Sequence, residues 1–253
     1  MKQLSKKIYR NKDFVDKYTN AVKSDEFHQF EDKPAIHKML ANVKGKRVLC
    51  IGCGDGDECT YIISKGAKEV TGVDLSKSMI EKAESKHKGI KFYVMSASKL
   101  KFKSNAFDVL YADLVLHYMS DISSVMNEAY RVLKPGGRFV FSETHPVYAM
   151  LKRKSKNGIS QALFGYMKKG RRYEIIGNYF AHQVKGSKWF KGYSVKYYQE
   201  TFSGLIMPAI RAGFILKEVA EPKPLKSLKR ISPERYKKLS KIPQAIIIEL
   251  AKL

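Results

Sequence analysis

The sequence predicts an α/β fold, in which helices cover both faces of a mostly parallel β-sheet. Three observations support this prediction. Apolar runs typical of buried strands alternate with helical patterns between residues 47 and 146. The first apolar run ends in three closely spaced glycines, Gly52, Gly54 and Gly56, and the second run ends in Asp74. A glycine-rich turn between a strand and a helix is typical of sheets that bind ligands at the carboxyl ends of their strands.

The predicted elements follow one another in a regular order. Two amphipathic helices come first, one around residues 14–22 and one that opens near Pro34 and runs to residue 43. Strands are then predicted near 47–51, 69–74, 91–95, 107–112 and 137–142, with helices near 57–65, 76–87 and 122–133. Strands joined through helices in this way run parallel, with right-handed crossovers.

Residues 147–199 interrupt this alternation. They contain six glycines, many tyrosines and two strand-like runs, at 173–176 and 193–197. So many aromatic residues exclude a disordered linker, and we predict an insertion after the fifth strand that covers the active site. The alternation resumes with a helix near 200–212, a strand near 214–219, a helix near 233–240 and a final strand near 245–250. The predicted parts are thus an N-terminal helical cover (1–46), a core (47–146), the insertion (147–199) and a C-terminal completion of the sheet (200–253).

The formal net charge of +24 lies almost entirely outside the core. Residues 47–146 carry 14 Lys and Arg against 12 Asp and Glu, whereas residues 147–200 carry 12 against 2. Basic clusters at 152–154 and 168–172 fall in the insertion. Such a charge distribution favours an anionic partner, either an acidic metabolite or nucleic acid. The alternative interpretation is a solvated, lysine-rich surface.

The three cysteines, Cys50, Cys53 and Cys59, all lie in or beside the glycine-rich turn. No second cysteine pair or histidine cluster follows at the spacing of zinc ligands, so we predict no metal site. The basic N-terminus lacks an apolar segment, and no apolar run approaches 18 residues. We therefore expect a reduced, cytoplasmic protein without a membrane-spanning segment.

The spacing of the glycines excludes two nucleotide-binding motifs. The dinucleotide fingerprint needs two residues between its second and third glycines, and a P-loop needs Gly-Lys-Ser/Thr. Asp74 lies 22 residues after Gly52, where a carboxylate can accept both hydroxyls of a ribose. Residues 48–56 resemble the first motif of the class I S-adenosylmethionine-dependent methyltransferases, and further stretches resemble the type 11 branch of that family, at 73–79, 107–118, 131–137 and 141–146.

The resemblance implies a Rossmann-like, seven-stranded sheet with strand order 3-2-1-4-5-7-6 and an antiparallel last strand. It also implies S-adenosylmethionine as the cofactor, with the glycine turn around its methionine and Asp74 on its ribose. The family commonly has a small or polar residue at the position of Asp113, and we expect Asp113 to face the cofactor's ammonium. The cofactor-binding residues that it implies are Gly52, Cys53, Gly54, Gly56, Asp74, Leu75, Met79, Ser96, Ala97 and Asp113. This chain has Cys50 and Ser96 where the family usually has acids, and a hydroxyl accepts a proton from the adenine amine less strongly than a carboxylate does.

Acceptor-side candidates follow the fourth and fifth predicted strands. His117 and His145 are the candidate bases, because imidazole accepts a proton near neutral pH, although either ring could instead serve packing. The candidate substrate-binding residues are Tyr118, Tyr148 and Tyr197. We expect in-line methyl transfer to O, N or C of a small acceptor, and an anionic acceptor would account for the basic charge. An RNA methyltransferase and a non-catalytic cofactor-binding protein remain alternatives, although the chain lacks the Asn/Asp-Pro-Pro-Tyr/Phe motif that holds a planar amine.

Overall fold

The structure, a computed structural model, describes residues 7–150, 152–156, 159–163, 165–169, 172–176, 178–180, 184–190 and 192–253, and for 149–177 and 187–189 it describes the backbone alone. The strands in this part of the chain are β1 (Arg47–Ile51), β2 (Glu69–Asp74), β3 (Lys91–Val94), β4 (Phe107–Asp113), β5 (Leu133–Thr144), β6 (Lys152–Lys156), β7 (Ile159–Leu163), β8 (Gly165–Lys169), β9 (Arg172–Ile176), β10 (Val184–Phe190), β11 (Tyr193–Tyr198), β12 (Ile215–Ala220) and β13 (Ala245–Ala251).

Seven of these strands form one sheet, in the order β12-β13-β5-β4-β1-β2-β3. Strands β1 to β5 pair in parallel, and β13 runs antiparallel to both of its neighbours, β5 and β12. The predicted order 3-2-1-4-5-7-6 is therefore confirmed, since β12 and β13 are the sixth and seventh strands of this sheet along the chain. The strand order reverses between β1 and β4, and a ligand cleft is expected at their carboxyl ends.

The helices pack on both faces of the sheet, as predicted. They are α1 (Lys12–Ser24), α2 (Lys33–Leu40), α3 (Asp57–Ser64), α4 (Lys77–Lys86), α5 (Ile122–Val132), α6 (Pro146–Met150), α7 (Phe202–Arg211), α8 (Leu228–Ile231) and α9 (Pro233–Leu239), and a π-helical turn, His28–Asp32, precedes α2. Side chains alternate across a strand. Leu49 and Ile51 of β1 accordingly pack with α5 and α7, whereas Val48 and Cys50 pack with α2, α3 and α4.

Several helices begin at a side-chain cap. Ser76 accepts a hydrogen bond from the backbone N–H of Met79 at the start of α4 (3.1 Å), and Asn11 does the same for Phe14 in α1 (3.1 Å). Such caps satisfy an N–H that has no partner within the helix. Strand β2 ends at Asp74, and the cap residue Ser76 follows two positions later. The turn between β2 and α4 is therefore short.

Strand β5 begins earlier than predicted. Leu133 pairs with Phe107, and the register shifts before Arg138 pairs with Val109. The Lys-Pro-Gly-Gly sequence at 134–137 therefore forms an irregularity inside the strand instead of a turn before it.

The described residues of the insertion form three antiparallel pairs: β6 with β7, β8 with β9, and β10 with β11. The two predicted strand-like runs lie in β9 and β11. The β10–β11 pair packs on the N-terminal helix, where Tyr193 Oη donates to Asp13 Oδ2 (3.0 Å) and the rings of Tyr193 and Phe14 lie 5.3 Å apart. The side chains of both basic clusters, with Arg171, lie outside the described residues. None of the helices in the described part of the chain has the length and apolar character needed to cross a lipid bilayer.

Candidate functional site

The turn between β1 and α3 places backbone atoms without side chains at the carboxyl ends of the strands. Gly52 and Gly54 have φ values of 66° and 53°, in the left-handed region that favours glycine. A Cβ atom on Gly52 would lie 2.4 Å from Cγ2 of Val115, whereas one on Gly54 would meet nothing within 4 Å. Gly52 is thus required by the packing of the turn, and Gly54 leaves open space beside the backbone.

Asp74 is tied to this turn. Its Oδ2 accepts a hydrogen bond from Gly54 N (3.1 Å), and its Oδ1 accepts one from Ser76 N (2.8 Å). Burial raises the pKa of the Asp74 carboxyl, and the backbone N–H groups of Ser76, Gly54 and Leu75 offset part of that effect. Each carboxylate oxygen retains capacity for a further donor, such as a ligand hydroxyl.

Two cavities adjoin the turn. The first cavity is lined by the predicted cofactor residues Gly52, Gly54, Asp74, Leu75, Ala97 and Asp113, and also by Tyr118. The second cavity is lined by His28, Lys33, Cys50, Cys53 and Glu58, among others. Tyr18, Gly52, Gly54, Asp113 and Leu114 line both. The cavities are therefore adjoining parts of one cleft at the carboxyl ends of β1, β2 and β4.

Four predicted cofactor residues lie outside the first cavity. Cys53 faces the second cavity, and Met79 is buried in α4 with 3% of its surface exposed. A Cβ on Gly56 would lie 2.8 Å from the Phe92 ring, so this glycine packs behind the turn. The hydroxyl of Ser96 lies 3.0 Å from that of Ser98, within its own loop. Gly56, Met79 and Ser96 thus line neither cavity, and Cys53 lines the second alone.

The N-terminal segment covers the first cavity with aromatic side chains. Tyr9 and Tyr18 line the cavity, and their ring centroids lie 5.3 Å apart. The hydroxyls of Tyr9 and Tyr118 are 2.9 Å apart, and Ser76 Oγ donates to the carbonyl of Tyr9. Burial raises the pKa of Tyr18 to about 12 and that of Tyr9 well above its usual range, so both are neutral. The sequence pattern placed Tyr18 on the apolar face of the predicted N-terminal helical cover.

His117 is held by a buried glutamate. Glu143, with 2% of its surface exposed, accepts from His117 N through Oε2 (2.8 Å) and contacts His117 Nδ1 through Oε1. No hydrogen-bond partner of His117 Nε2 occurs among the described residues. The ring lies between Tyr118 and Tyr197, with centroids 4.1 Å and 5.9 Å away. His117 and Tyr197 line neither cavity, but both are linked through the His117 ring to Tyr118, which lines the first.

His145 has different surroundings. Its Nε2 bonds Glu221 Oε1 (2.8 Å), and its Nδ1 accepts from Val147 N (3.2 Å), so both ring nitrogens are engaged within the fold. Tyr148, in α6, is half-buried and lines neither cavity. A proton-transfer role for His145 would require one of its two hydrogen bonds to break.

The chain as a whole is strongly basic, but the side chains that line the first cavity are not. The described residues that line the first cavity include the carboxyl groups of Asp74 and Asp113 and no lysine or arginine. In the second cavity, Lys33 Nζ lies 3.0 Å from Glu58 Oε1, and His37 Nε2 lies 2.6 Å from Glu58 Oε2. Although burial alone would raise it, these two partners lower the pKa of Glu58 to about 2. The expectation of an anionic acceptor finds no support in these side chains.

Known proteins resemble the chain in sequence and in structure. Residues 49–141 match a family described as a methyltransferase domain. An S-adenosylmethionine-dependent methyltransferase from Mesorhizobium loti is similar with a TM-score of 0.71 and 27% identity, over 90% of this chain and 99% of that one. A protein of Listeria monocytogenes assigned to the same class has a TM-score of 0.73 and 26% identity, over 88% and 96%. The demethylmenaquinone methyltransferase of Lactococcus lactis is 32% identical over 163 residues, which are 61% of this chain and 60% of that protein.

The glycine turn and Asp74 fall inside the matched residues 49–141. The two solved structures extend the likeness to most of the chain, including parts on either side of the family match. Residues 49–141 are therefore a methyltransferase domain of the type 11 family, and the fold around them is that of S-adenosylmethionine-dependent methyltransferases.

Proposed function

We propose that the chain transfers the methyl group of S-adenosylmethionine to O, N or C of a small acceptor that enters beside Tyr118. The observation that carries this proposal is the first cavity, where Asp74 and the bare backbone of Gly54 lie beneath Tyr9 and Tyr18. The cover of half-buried tyrosines suits a small acceptor better than a polynucleotide. The Lactococcus relative, by its name, also acts on a small molecule, demethylmenaquinone.

The residues of the cleft fit the cofactor. The Asp74 carboxylate is oriented by Gly54 N and Ser76 N and has acceptor capacity left for the two ribose hydroxyls. Leu75 and Ala97 supply apolar surface for the adenine ring. Gly54, without a side chain, leaves room for the methionine portion to pass into the second cavity. In this arrangement Gly56, Met79, Ser96 and Cys53 support the cleft without contact to the adenosine.

When bound, S-adenosylmethionine supplies a methyl group that its sulfonium already activates. The protein therefore has to align the acceptor and exclude water, and the half-buried rings of Tyr9, Tyr18 and Tyr118, which line the first cavity, are placed for both tasks. Where the acceptor atom carries a proton, His117 is the residue that accepts it, at Nε2. Glu143 holds His117 Nδ1 and so keeps Nε2 as the acceptor.

The test of this function is a labelling experiment with two acceptor pools. The protein is incubated with methyl-labelled cofactor and either a small-metabolite extract or total cellular RNA. We expect label in the small-molecule fraction and no stoichiometric label in RNA. Label at a defined RNA site, lost on replacing Arg171 and Arg172, would contradict the proposal and favour the RNA alternative.

The Asp74→Ala variant is expected to bind both S-adenosylmethionine and S-adenosylhomocysteine at least about tenfold more weakly, because each loses a charge-assisted acceptor of its ribose. Isothermal calorimetry measures both affinities. The matched control is Asp108→Ala, since Asp108 also accepts a backbone N–H (Arg47 N, 2.8 Å) but lies at the opposite end of the strands. Equal affinities in wild type and Asp74→Ala would contradict the ribose assignment.

A further inference from the structure

A strongly basic segment connects the last two strands of the sheet. Residues 223–241, called the basic segment, include α8 and α9 and contain eight Lys and Arg against one acidic residue, Glu234. One of the eight, Arg235, is half-buried and pairs with Asp25 and Glu26. The other seven are exposed: Lys223, Lys226, Lys229, Arg230, Lys237, Lys238 and Lys241. The basic segment therefore presents most of its positive charge to solvent.

The basic segment lies at the same edge of the sheet as the cleft. Thr144, at the end of β5, pairs with Ala245, at the start of β13, so the chain that leads into β13 is at the carboxyl ends of the parallel strands. Leu225 N donates to the carbonyl of Phe30 (2.7 Å), and Gln244 N donates to Glu31 Oε1 (3.0 Å). The π-helical turn, which contains both acceptors, thus holds the chain at either end of the basic segment.

Two aliphatic side chains are exposed among these cations. Ile231 has 61% of its surface exposed and Leu225 has 46%, whereas Leu228 and Leu239 are buried. The buried leucines anchor α8 and α9 on the protein, so the fold itself turns Ile231 toward solvent. One exposed aliphatic side chain is common on protein surfaces. Two of them among seven exposed cations are typical of segments that lie on the surface of an anionic bilayer.

We propose that the basic segment binds the surface of an anionic lipid bilayer, where Ile231 and Leu225 enter the layer beneath the headgroups and the surrounding cations contact lipid phosphates. The charges attract the segment from a distance of about one Debye length, roughly 8–10 Å, and burial of the aliphatic side chains strengthens the bound state. Long lysine side chains can reach phosphates from residues that lie deeper than the headgroups.

The aliphatic residues favour lipid over nucleic acid as the partner. Nucleic acid is attracted by the same charges, but its bases stack on exposed aromatic side chains. The one aromatic residue of the basic segment, Tyr236, is half-buried. Bilayer binding needs neither cofactor nor acceptor, so the inference does not rest on the proposed function. It adds that the edge of the sheet at which the cleft opens is held close to a lipid surface.

The test is sedimentation of the full chain with two kinds of vesicle, one of phosphatidylcholine and one of phosphatidylcholine and phosphatidylglycerol in equal amounts. We expect binding to the mixed vesicles only, weakened by added salt. The double variant Lys229→Glu/Arg230→Glu should bind them at least about tenfold more weakly. The control is Lys44→Glu/Lys46→Glu, the same change at two exposed lysines before β1, at the opposite edge, and it should bind nearly as wild type does.

A second pair of variants tests the aliphatic contact. Ile231→Ser should bind the mixed vesicles at least about fivefold more weakly, because it loses an apolar side chain that the bilayer buries. Ile63→Ser is the control, since Ile63 of α3 is also exposed, at 37%, but lies outside the basic segment. All these substitutions are at exposed positions, and equal unfolding temperatures would verify that each variant folds.

Several outcomes would overturn the proposal. These are equal binding to the two kinds of vesicle, binding to neither, and binding of Ile231→Ser at the wild-type level. Binding of total cellular RNA that Lys229→Glu/Arg230→Glu abolishes, with vesicle binding unaffected, would overturn it in favour of nucleic acid. Failure of the labelling experiment, by contrast, would contradict the proposed function and leave the result with vesicles as it is.

Discussion

Replacing His117 by asparagine is expected to lower the turnover of an acceptor that carries a proton by about 10²–10⁴-fold, the usual contribution of general acid–base catalysis. Affinity for S-adenosylhomocysteine should stay unchanged, because proton removal occurs only in the transition state. The acceptor for this assay is the small molecule labelled in the extract experiment. Single-turnover kinetics would separate the chemical step from product release.

Two further variants determine whether His117 acts as the base or as a packing residue. Glu143→Gln should also lower turnover, by less than His117→Asn, since the ring remains but its carboxylate partner is gone. His145→Asn serves as the control and should leave turnover near the wild-type value, because both nitrogens of His145 are engaged elsewhere. Equal turnover in wild type and His117→Asn would remove this histidine from the mechanism.

The Gly52→Ala variant is expected to lose both stability and cofactor binding. A non-glycine residue at the observed φ of 66° costs roughly 1–2 kcal/mol, and the new Cβ would lie 2.4 Å from Val115 Cγ2. We therefore expect the free energy of unfolding to fall by about 2–4 kcal/mol, measured by chemical denaturation. The displaced turn would also move Gly54 N away from Asp74.

Gly54→Ala is the matched comparison. Its φ of 53° imposes the same backbone strain, but a Cβ there meets no atom within 4 Å. Gly54→Ala should therefore lose less stability than Gly52→Ala while still weakening cofactor binding, because the methyl group enters the cleft. Adding Val115→Ala to Gly52→Ala should recover part of the lost stability. Equal losses in Gly52→Ala and Gly54→Ala would show that the contact with Val115 is unimportant.

The features that the sequence predicted are those that depend on local patterns. The glycine turn and the place of Asp74 follow from apolar periodicity and from residues at strand ends, whereas the strand order was implied by the family resemblance. The structure has all three. The predicted start of β5, at residue 137, was wrong. A Pro-Gly-Gly sequence, which is typical of a turn, lies here inside a paired strand.

The features that the sequence did not predict depend on contacts between distant segments. Asp32 lies 81 positions before Asp113, to which its side chain is hydrogen-bonded, and nothing in the sequence around it indicates that its carboxyl group is buried. From their positions after the fourth and fifth predicted strands, His117 and His145 were equally good candidates for the base. Their different partners, Glu143 and Glu221, appear only when β5 and the loop after β12 are placed in space.

The hydroxyl of Ser76 connects three parts of the molecule. The hydroxyl accepts a hydrogen bond from Met79 N at the start of α4 and donates one to the carbonyl of Tyr9. The backbone N–H of the same residue donates to the carboxylate of Asp74. Closure of the N-terminal segment and occupation of the ribose site are therefore thermodynamically linked. Linkage is reciprocal: if the contact of the N-terminal segment with Ser76 raises cofactor affinity by a given factor, cofactor binding strengthens that contact by the same factor.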